Sequence, residues 1–336
     1  MPGTDPILLD EISLLLVWTA VAIYVLAFIA YAIDLARRSD LAVKAKDAVV
    51  ARELVTAGGG GVLTADRGGV ASGSSVAKPR YVWARIGTAL TAMGFAFHLV
   101  ATVLRGIAAE RVPWSNMYEF ALTGLLIIVG VYLAVLPKFD LRFLGSLITG
   151  MAIVMLGGAT LAYHVDVVPL ADPLKSVWLV IHVFVAILAT ALFALAFGLS
   201  VVQLMQSRRE RKLVGAPVDA TPRRSFLRTL PSSDDLESLA YRFAIVGFIF
   251  WTFTLIAGAI WANDAWGRFW GFDTKEVWTF VIWVLYAGYI HARATRGWRG
   301  TRSAWLSIIG FTAVLFNFTI VNVFFKGLHA YSGLTE

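Results

Sequence analysis

Residues 12–33 read ISLLLVWTAVAIYVLAFIAYAI, a run of 22 residues without one charged side chain. At about 1.5 Å per residue, a helix of that length crosses the ~30 Å hydrocarbon core of a bilayer. Seven further apolar runs follow, near 86–108, 119–136, 143–162, 177–204, 243–261, 277–290 and 303–325. Lipid offers no partner to an open backbone, so unbroken runs of this kind predict helices and exclude a barrel. The expected fold is all-α, a polytopic membrane protein of about eight transmembrane helices forming a single membrane-embedded domain over residues 1–336. The seventh run is the shortest, and its ends are expected to extend to Glu276 and Ala292. No small-residue cleavage site follows the first run, which is therefore expected to remain a span.

Composition agrees. The chain is 58% hydrophobic and 15% charged, with a mean hydropathy of +0.73, whereas soluble chains carry roughly 25% charged residues. A net charge of +7 raises nucleic acid as a partner, but the basic residues sit between the apolar spans, where membrane topology accounts for them. Segments 34–85, 137–142, 206–242 and 291–302 hold 23 of the 29 Lys and Arg residues. Basic segments stay cytoplasmic, so both termini are expected on the outer side. The glycine- and serine-rich segment 34–85 reads as a flexible cytoplasmic linker. Segment 205–242, with Pro217, Pro222 and Pro231, reads as a basic cytoplasmic loop suited to anionic headgroups of membrane lipid. The chain has no cysteine, so it performs no thiol chemistry of its own.

The most informative connection is residues 261–278, WANDAWGRFWGFDTKEVW, which joins the sixth and seventh runs on the outer side. It holds four tryptophans in 18 residues: Trp261, Trp266, Trp270 and Trp278. Tryptophan also forms interfacial belts, but belts anchor many helix ends rather than one connection. Gly267 and Gly271 let the backbone turn and approach a flat ligand. Asp264, Asp273 and Glu276 are interleaved with the rings, which suits a shaped site for a large planar ligand with a polar edge.

The chain contains five histidines. His182, just inside the fifth run, and His329, just past the eighth, fall at the level of the tryptophan loop. Two imidazoles at one depth beside an aromatic platform suit axial ligation of one haem iron. His98 lies mid-span and His291 at the inner end of the seventh run, where ionisable groups are costly and usually functional. His164 lies in an outer connection.

At these residues the chain resembles the CcsA (ResC) family of system II cytochrome c biogenesis. The resemblance rests on the tryptophan loop as a WWD motif and on PWSNMYE (113–119), WLVIHV (178–183), YIHAR (289–293) and GLHAY (327–331), in order over roughly residues 80–335. It implies that His182 and His329 are external axial ligands of haem b, held non-covalently as transported substrate, and that His291 is a membrane-embedded ligand. Trp261, Trp266, Trp270, Phe272, Asp273, Glu276 and Trp278 would form the haem-binding loop. Asp273 and Glu276 would either orient histidines or line the rim. His98, Asn116 and Glu119 are secondary candidates, and Arg105, Arg111 and Arg268 are candidates for the propionates. Phe272 and Thr274 stand where the family usually has Trp and Pro; Phe keeps an aromatic face but loses the indole N–H.

The resemblance further implies haem attachment to the CXXCH thiols of apocytochrome c by a CcsB–CcsA type synthase. Its partners would be a CcsB (ResB)-like membrane protein and thiol-reducing thioredoxin-like proteins, in a bacterial plasma membrane or the thylakoid. The competing readings are a system I-like haem chaperone or exporter and a b-type, quinol-linked electron-transfer protein. Reporter fusions test the topology. Those after Lys46 and within 208–224 should report cytoplasm, and those near Asp264 and at Glu336 the outer side. A cytoplasmic signal at Glu336 would contradict it.

Overall fold

A computed structural model describes residues 5–58, 81–170, 174–214, 225–295, 297–325 and 327–329, with side chains left undescribed over 39–58. The described residues form helices and no strands. The helices are α1 (Pro6–Gly58), α2 (Val82–Ala108), α3 (Met117–Val135), α4 (Gly145–Tyr163), α5 (Val177–Val214), α6 (Ser233–Trp266), α7 (Thr274–Thr295) and α8 (Thr301–Phe316). A π-helical turn, Asn317–Val321, and a final turn, Asn322–Phe324, continue α8. Seven of these segments are long and apolar enough to cross a membrane. The eighth, α7, has 22 residues; its polar ends, Lys275, Glu276, His291 and Arg293, lower its hydropathy without shortening it. The chain is thus an all-α polytopic membrane protein.

Two expected loops begin inside helices. α1 continues to Gly58 and α5 to Val214, and α6 starts at Ser233. The reason is local: Ala, Leu, Lys, Arg and Glu dominate both extensions and are good helix formers, and glycines follow at 58–61. The glycine- and serine-rich part of the linker, 59–80, and residues 215–224 of the basic loop lie outside the described residues.

α1 packs chiefly on α2 and α4, α3 on α4 and α5, α5 on α6 and α8, and α7 on α8 and α6. Lipid tails are as apolar as leucine, so these contacts rest on close packing and polar ties rather than on escape from water. Tyr31 shows the first. Its ring lies against Gly87 and Gly145; a Cβ at Gly87 would sit 2.9 Å from the ring, and one at Gly145 closer still. Its hydroxyl meets Thr88 at 3.0 Å and Tyr132 at 3.2 Å. Phe193 fills the equivalent role between α5 and α6: a Cβ at Gly247 would lie 2.8 Å from it. Its other face stacks on Tyr286 of α7, ring centroids 3.6 Å apart.

Polar ties close both ends of the bundle. At the outer end, Arg105 of α2 is fully buried. It donates to Asp10 of α1 at 2.6 Å, to Glu119 of α3 at 3.1 Å and to the Val165 carbonyl at 2.9 Å. Arg111 donates to Glu119 at 2.7 Å, and the Ser115 N–H does so at 2.9 Å. At the inner end, Glu237 of α6 accepts from Arg293 of α7 at 3.0 Å and from the Gly300 N–H, ahead of α8, at 2.7 Å.

Removing one charge from a buried pair strands its partner, at a cost of about 3–5 kcal/mol. Glu119→Gln leaves two guanidinium groups without their shared anion. It should lower the melting temperature of the detergent-purified protein clearly, while Asp140→Asn, at a half-exposed pair, should change it little. Equal melting curves for the two variants would show that the outer network does not hold α1–α3.

Candidate functional site

Toward the outer end the bundle encloses a cavity of about 250 Å³, walled by α3, α4, α5, α6, α7 and α8. Its wall is mainly apolar: Phe120, Leu179, Ile187, Trp251, Phe311 and Leu315 are representative. Trp261, Trp266 and Trp270 of the tryptophan loop complete it.

The local sequence explains the loop's shape. α6 ends at Gly267, whose left-handed backbone (φ 68°) returns its N–H to the Asn263 carbonyl at 2.8 Å, the usual glycine helix stop. The second left-handed residue is Phe272 (φ 57°) and not the neighbouring Gly271. Gly271 lies beneath the Arg268 guanidinium, which a Cβ there would push aside. Glu276, in the first turn of α7, gathers the connection: it accepts from the Gly271 N–H at 2.8 Å, the Asp273 N–H at 3.1 Å and Arg268 at 3.4 Å. Glu276 also lines the cavity.

Asp273 reaches to the chain segment beyond α8. One carboxylate oxygen accepts from the Leu328 N–H at 3.0 Å, and the other meets His329 Nδ1 at 2.8 Å. Only glycine fits at 327, because a Cβ there would collide with that carboxylate. The His329 hydrogen bond, first among several, holds the Asp273 carboxyl below its ordinary range. An ionised Asp273 requires the proton on Nδ1, so Nε2 is the nitrogen this hydrogen bond leaves for a metal.

Both expected outer histidines line the cavity. The His329 ring stands edge-on to Trp266, centroids 4.9 Å apart, and His182 edge-on to Trp261 at 5.6 Å. His182 Nδ1 is buried against α6 with no hydrogen bond of good geometry, and the Thr254 backbone is the polar group beside the ring. The ring presses on α6 at Gly258, where a Cβ would come within 2.8 Å of Cε1. Two imidazoles in the lining of one apolar, tryptophan-walled cavity, one pressed on α6 and the other oriented by Asp273, are a donor set that fits a metalloporphyrin. Among the described residues no cluster of three or more His, Cys, Asp or Glu gathers for a bare metal ion.

Other sequence candidates sit elsewhere. Trp278 packs on Phe316, centroids 4.3 Å apart, outside the cavity lining. Phe272 is 79% exposed and meets only the edge of Trp270 at 6.1 Å. His98 is fully buried, with Nδ1 at 3.3 Å from the Tyr24 hydroxyl and Nε2 at 2.8 Å from the Leu122 carbonyl. His291 is exposed on the surface of α7. Asn116 caps α3 by accepting from the Glu119 N–H at 2.9 Å, and Glu119, with Arg105 and Arg111, belongs to the outer ion network. Their contribution is one step removed, since Phe120 and Ala121, next in α3, line the cavity. His164 lies 3.8 Å from Asp10 and edge-on to Tyr118; burial lowers its pKa.

Sequence reading missed Phe269, Trp251, Gly258 and a polar corner made of Lys275, Thr279, Asn317 and Asn322, all in the cavity lining. The corner carried a signal: two asparagines in an apolar span are costly unless used. Gly258 carried none, because its role depends on a helix distant in sequence.

Comparison with known proteins identifies the family. Residues 114–329 match the model of a family described as cytochrome C assembly protein. The chain is 34% identical over 244 residues to cytochrome c biogenesis protein CcsA of Guillardia theta, covering 68% of this chain and 80% of that one. It is 33% identical to CcsA of Prochlorococcus marinus, covering 69% and 79%, and 31% identical to that of Porphyra purpurea, covering 82% and 95%. Its fold is similar to that of a solved structure, cytochrome c heme lyase CcmF. The TM-score is 0.58 at 14% identity, over 95% of this chain and 47% of that chain, about half its length. The chain belongs to the CcsA family of cytochrome c biogenesis proteins.

Proposed function

We propose that the cavity binds haem b between His182 and His329 and presents it at the outer membrane face for attachment to apocytochrome c, the chain serving as one subunit of a CcsB–CcsA type synthase. The observation that carries this reading is the presence of two imidazoles in the lining of one cavity, each edge-on to a loop tryptophan. The iron is held by its axial donors, while the tryptophan and apolar walls contact the porphyrin face. In the attachment step each cysteine thiol of CXXCH adds across a vinyl group: an S–C bond forms and the thiol hydrogen passes to the other vinyl carbon, with no net oxidation. The protein's contribution is to hold the vinyl edge in register with the thiols. The names of the similar proteins, cytochrome c biogenesis protein and cytochrome c heme lyase, support this role.

Because this chain has no cysteine, thiol reduction falls to thioredoxin-like partners. His291 is exposed on the bundle surface, which favours an embedded haem site completed by a CcsB-like partner. The quinol-linked cytochrome reading needs two histidine pairs inside one chain. The partners of His98 and the exposure of His291 count against it.

Replacing His182 or His329 with Gly should abolish cytochrome c maturation in a host lacking its own system and supplied with a CcsB-like protein, while the variant still inserts. The lost imidazole leaves a ligand-sized gap, so added imidazole should restore a bis-nitrogen haem spectrum and part of the maturation. His164→Gly should cost little. Normal maturation by both outer variants would contradict the assignment. Gly258→Ala should lower the haem content of the purified protein by displacing the His182 ring, whereas Gly288→Ala, where a Cβ meets open space, should leave it unchanged. Equal haem content in the two glycine variants would show that the His182 position does not matter.

A further inference from the structure

Besides its two histidines, Glu276 and the hydroxyls of Thr190 and Thr254, the polar part of the cavity wall is one corner where α7 meets the end of α8. Lys275 and Thr279 lie one helical turn apart on α7, and Asn317 and Asn322 come from the π-helical turn of α8 and the residue after it. A π-turn inserts an extra residue into the helix and redirects the side chains around it, a device common at functional sites. Here Asn322 meets the lysine, and Asn317 meets Thr279 one turn further along α7. The Lys275 ammonium donates to Asn322 Oδ1, and Asn317 Nδ2 meets the Thr279 hydroxyl at 3.4 Å.

Two features of this corner are unsatisfied within the protein. Lys275 has three N–H donors, with Asn322 as its one side-chain partner, and no carboxylate lies within 4 Å of it among the described residues. Asp273 and Glu276, its neighbours in sequence, are occupied with His329 and with the loop N–H groups and Arg268. Asn317 is 5% exposed, and its Oδ1 has no partner; turning the amide over would offer two N–H donors at the same place. An unpaired ammonium is expensive at the edge of an apolar cavity unless a ligand brings the opposite charge. Three arginines near the outer end are spent inside the protein. Arg105 and Arg111 serve the Asp10–Glu119 network, and Arg268 lies over Gly271 and bonds to Glu276.

We propose that Lys275, steadied by Asn322 and flanked by Asn317 and Thr279, is the anionic-group site of the cavity, pairing its ammonium with a carboxylate of the bound porphyrin. This rests on the haem reading above and deepens it. The polar corner fixes which edge of the porphyrin points toward α7 and α8, so the opposite, vinyl-bearing edge is turned away from them. Lys275 is therefore a positioning residue rather than a catalytic one.

The test compares haem b with its dimethyl ester, which keeps the iron and the ring but lacks the negative charges. Both are titrated by Soret absorption into the detergent-purified full chain and into Lys275→Met, Lys275→Arg and Asn322→Ala. A charge-assisted hydrogen bond lost from a buried site changes affinity by about tenfold or more. Lys275→Met should therefore weaken haem binding about tenfold and leave the ester nearly unaffected, collapsing the ratio of the two affinities. Lys275→Arg should keep most of the ratio, and Asn322→Ala should reduce it in part. An equal loss for both porphyrins in Lys275→Met would assign the lysine a packing role and overturn the proposal, as would an unchanged ratio. In either case a bis-nitrogen spectrum leaves the histidine assignment standing. A wild-type chain that binds neither porphyrin overturns both.

Discussion

The hydrogen bond between Asp273 and His329 is the contact on which the outer site depends. It joins two segments 56 residues apart and fixes three things together. The segment after α8 is drawn onto the tryptophan loop, the imidazole tautomer is set, and the ring is held against Trp266. The same carboxylate takes the Leu328 N–H, so the contact is a two-pronged clasp rather than a lone ion pair. Glycine at 327 and glycine at 267 are the steric conditions for it.

Around this clasp, the bundle solves the usual problem of a membrane protein, which is to hold helices together where the hydrophobic effect does not discriminate. Aromatic rings seated on glycines supply the contact area, as at Tyr31 and Phe193. Buried charges tie the helix ends, as at Arg105 with Asp10 and Glu119. The PWSNMYE segment belongs to this framework: its asparagine starts α3, its glutamate binds two arginines, and the residues after it form cavity wall. It supports the cavity without lining it. The division explains why one end of the bundle carries both a rigid ion network and a cavity whose polar groups are left partly unsatisfied.

The helices were readable from the sequence because lipid permits few alternatives, and the tryptophan loop and outer histidines were readable because their residue types are rare at one depth. Charge bias placed them on one side. Helix ends were less legible. α1 and α5 run on past the hydrocarbon because alanine, leucine and lysine continue a helix as readily in water as in lipid. The division of labour among the acidic residues was not legible at all, since Asp273 and Glu276 are three residues apart yet serve different partners. Asn317 and Asn322 were visible as polar residues in an apolar span, but the π-turn that sets them against α7 follows no simple period. His98 shows the limit of reading by residue type: a buried histidine mid-span looks like a ligand, and here both its nitrogens bond within the protein.

The central claim is that one iron sits between two neutral imidazoles in this cavity. Low-temperature electron paramagnetic resonance of the ferric haem-loaded protein tests it most directly. Bis-imidazole ligation gives a low-spin rhombic signal, and Asp273→Asn, which weakens the proton-sharing bond to one imidazole, should shift its g-values without changing the spin state. A high-spin axial signal from the wild-type protein, or a low-spin signal that stays the same when His182 or His329 is removed, would contradict it.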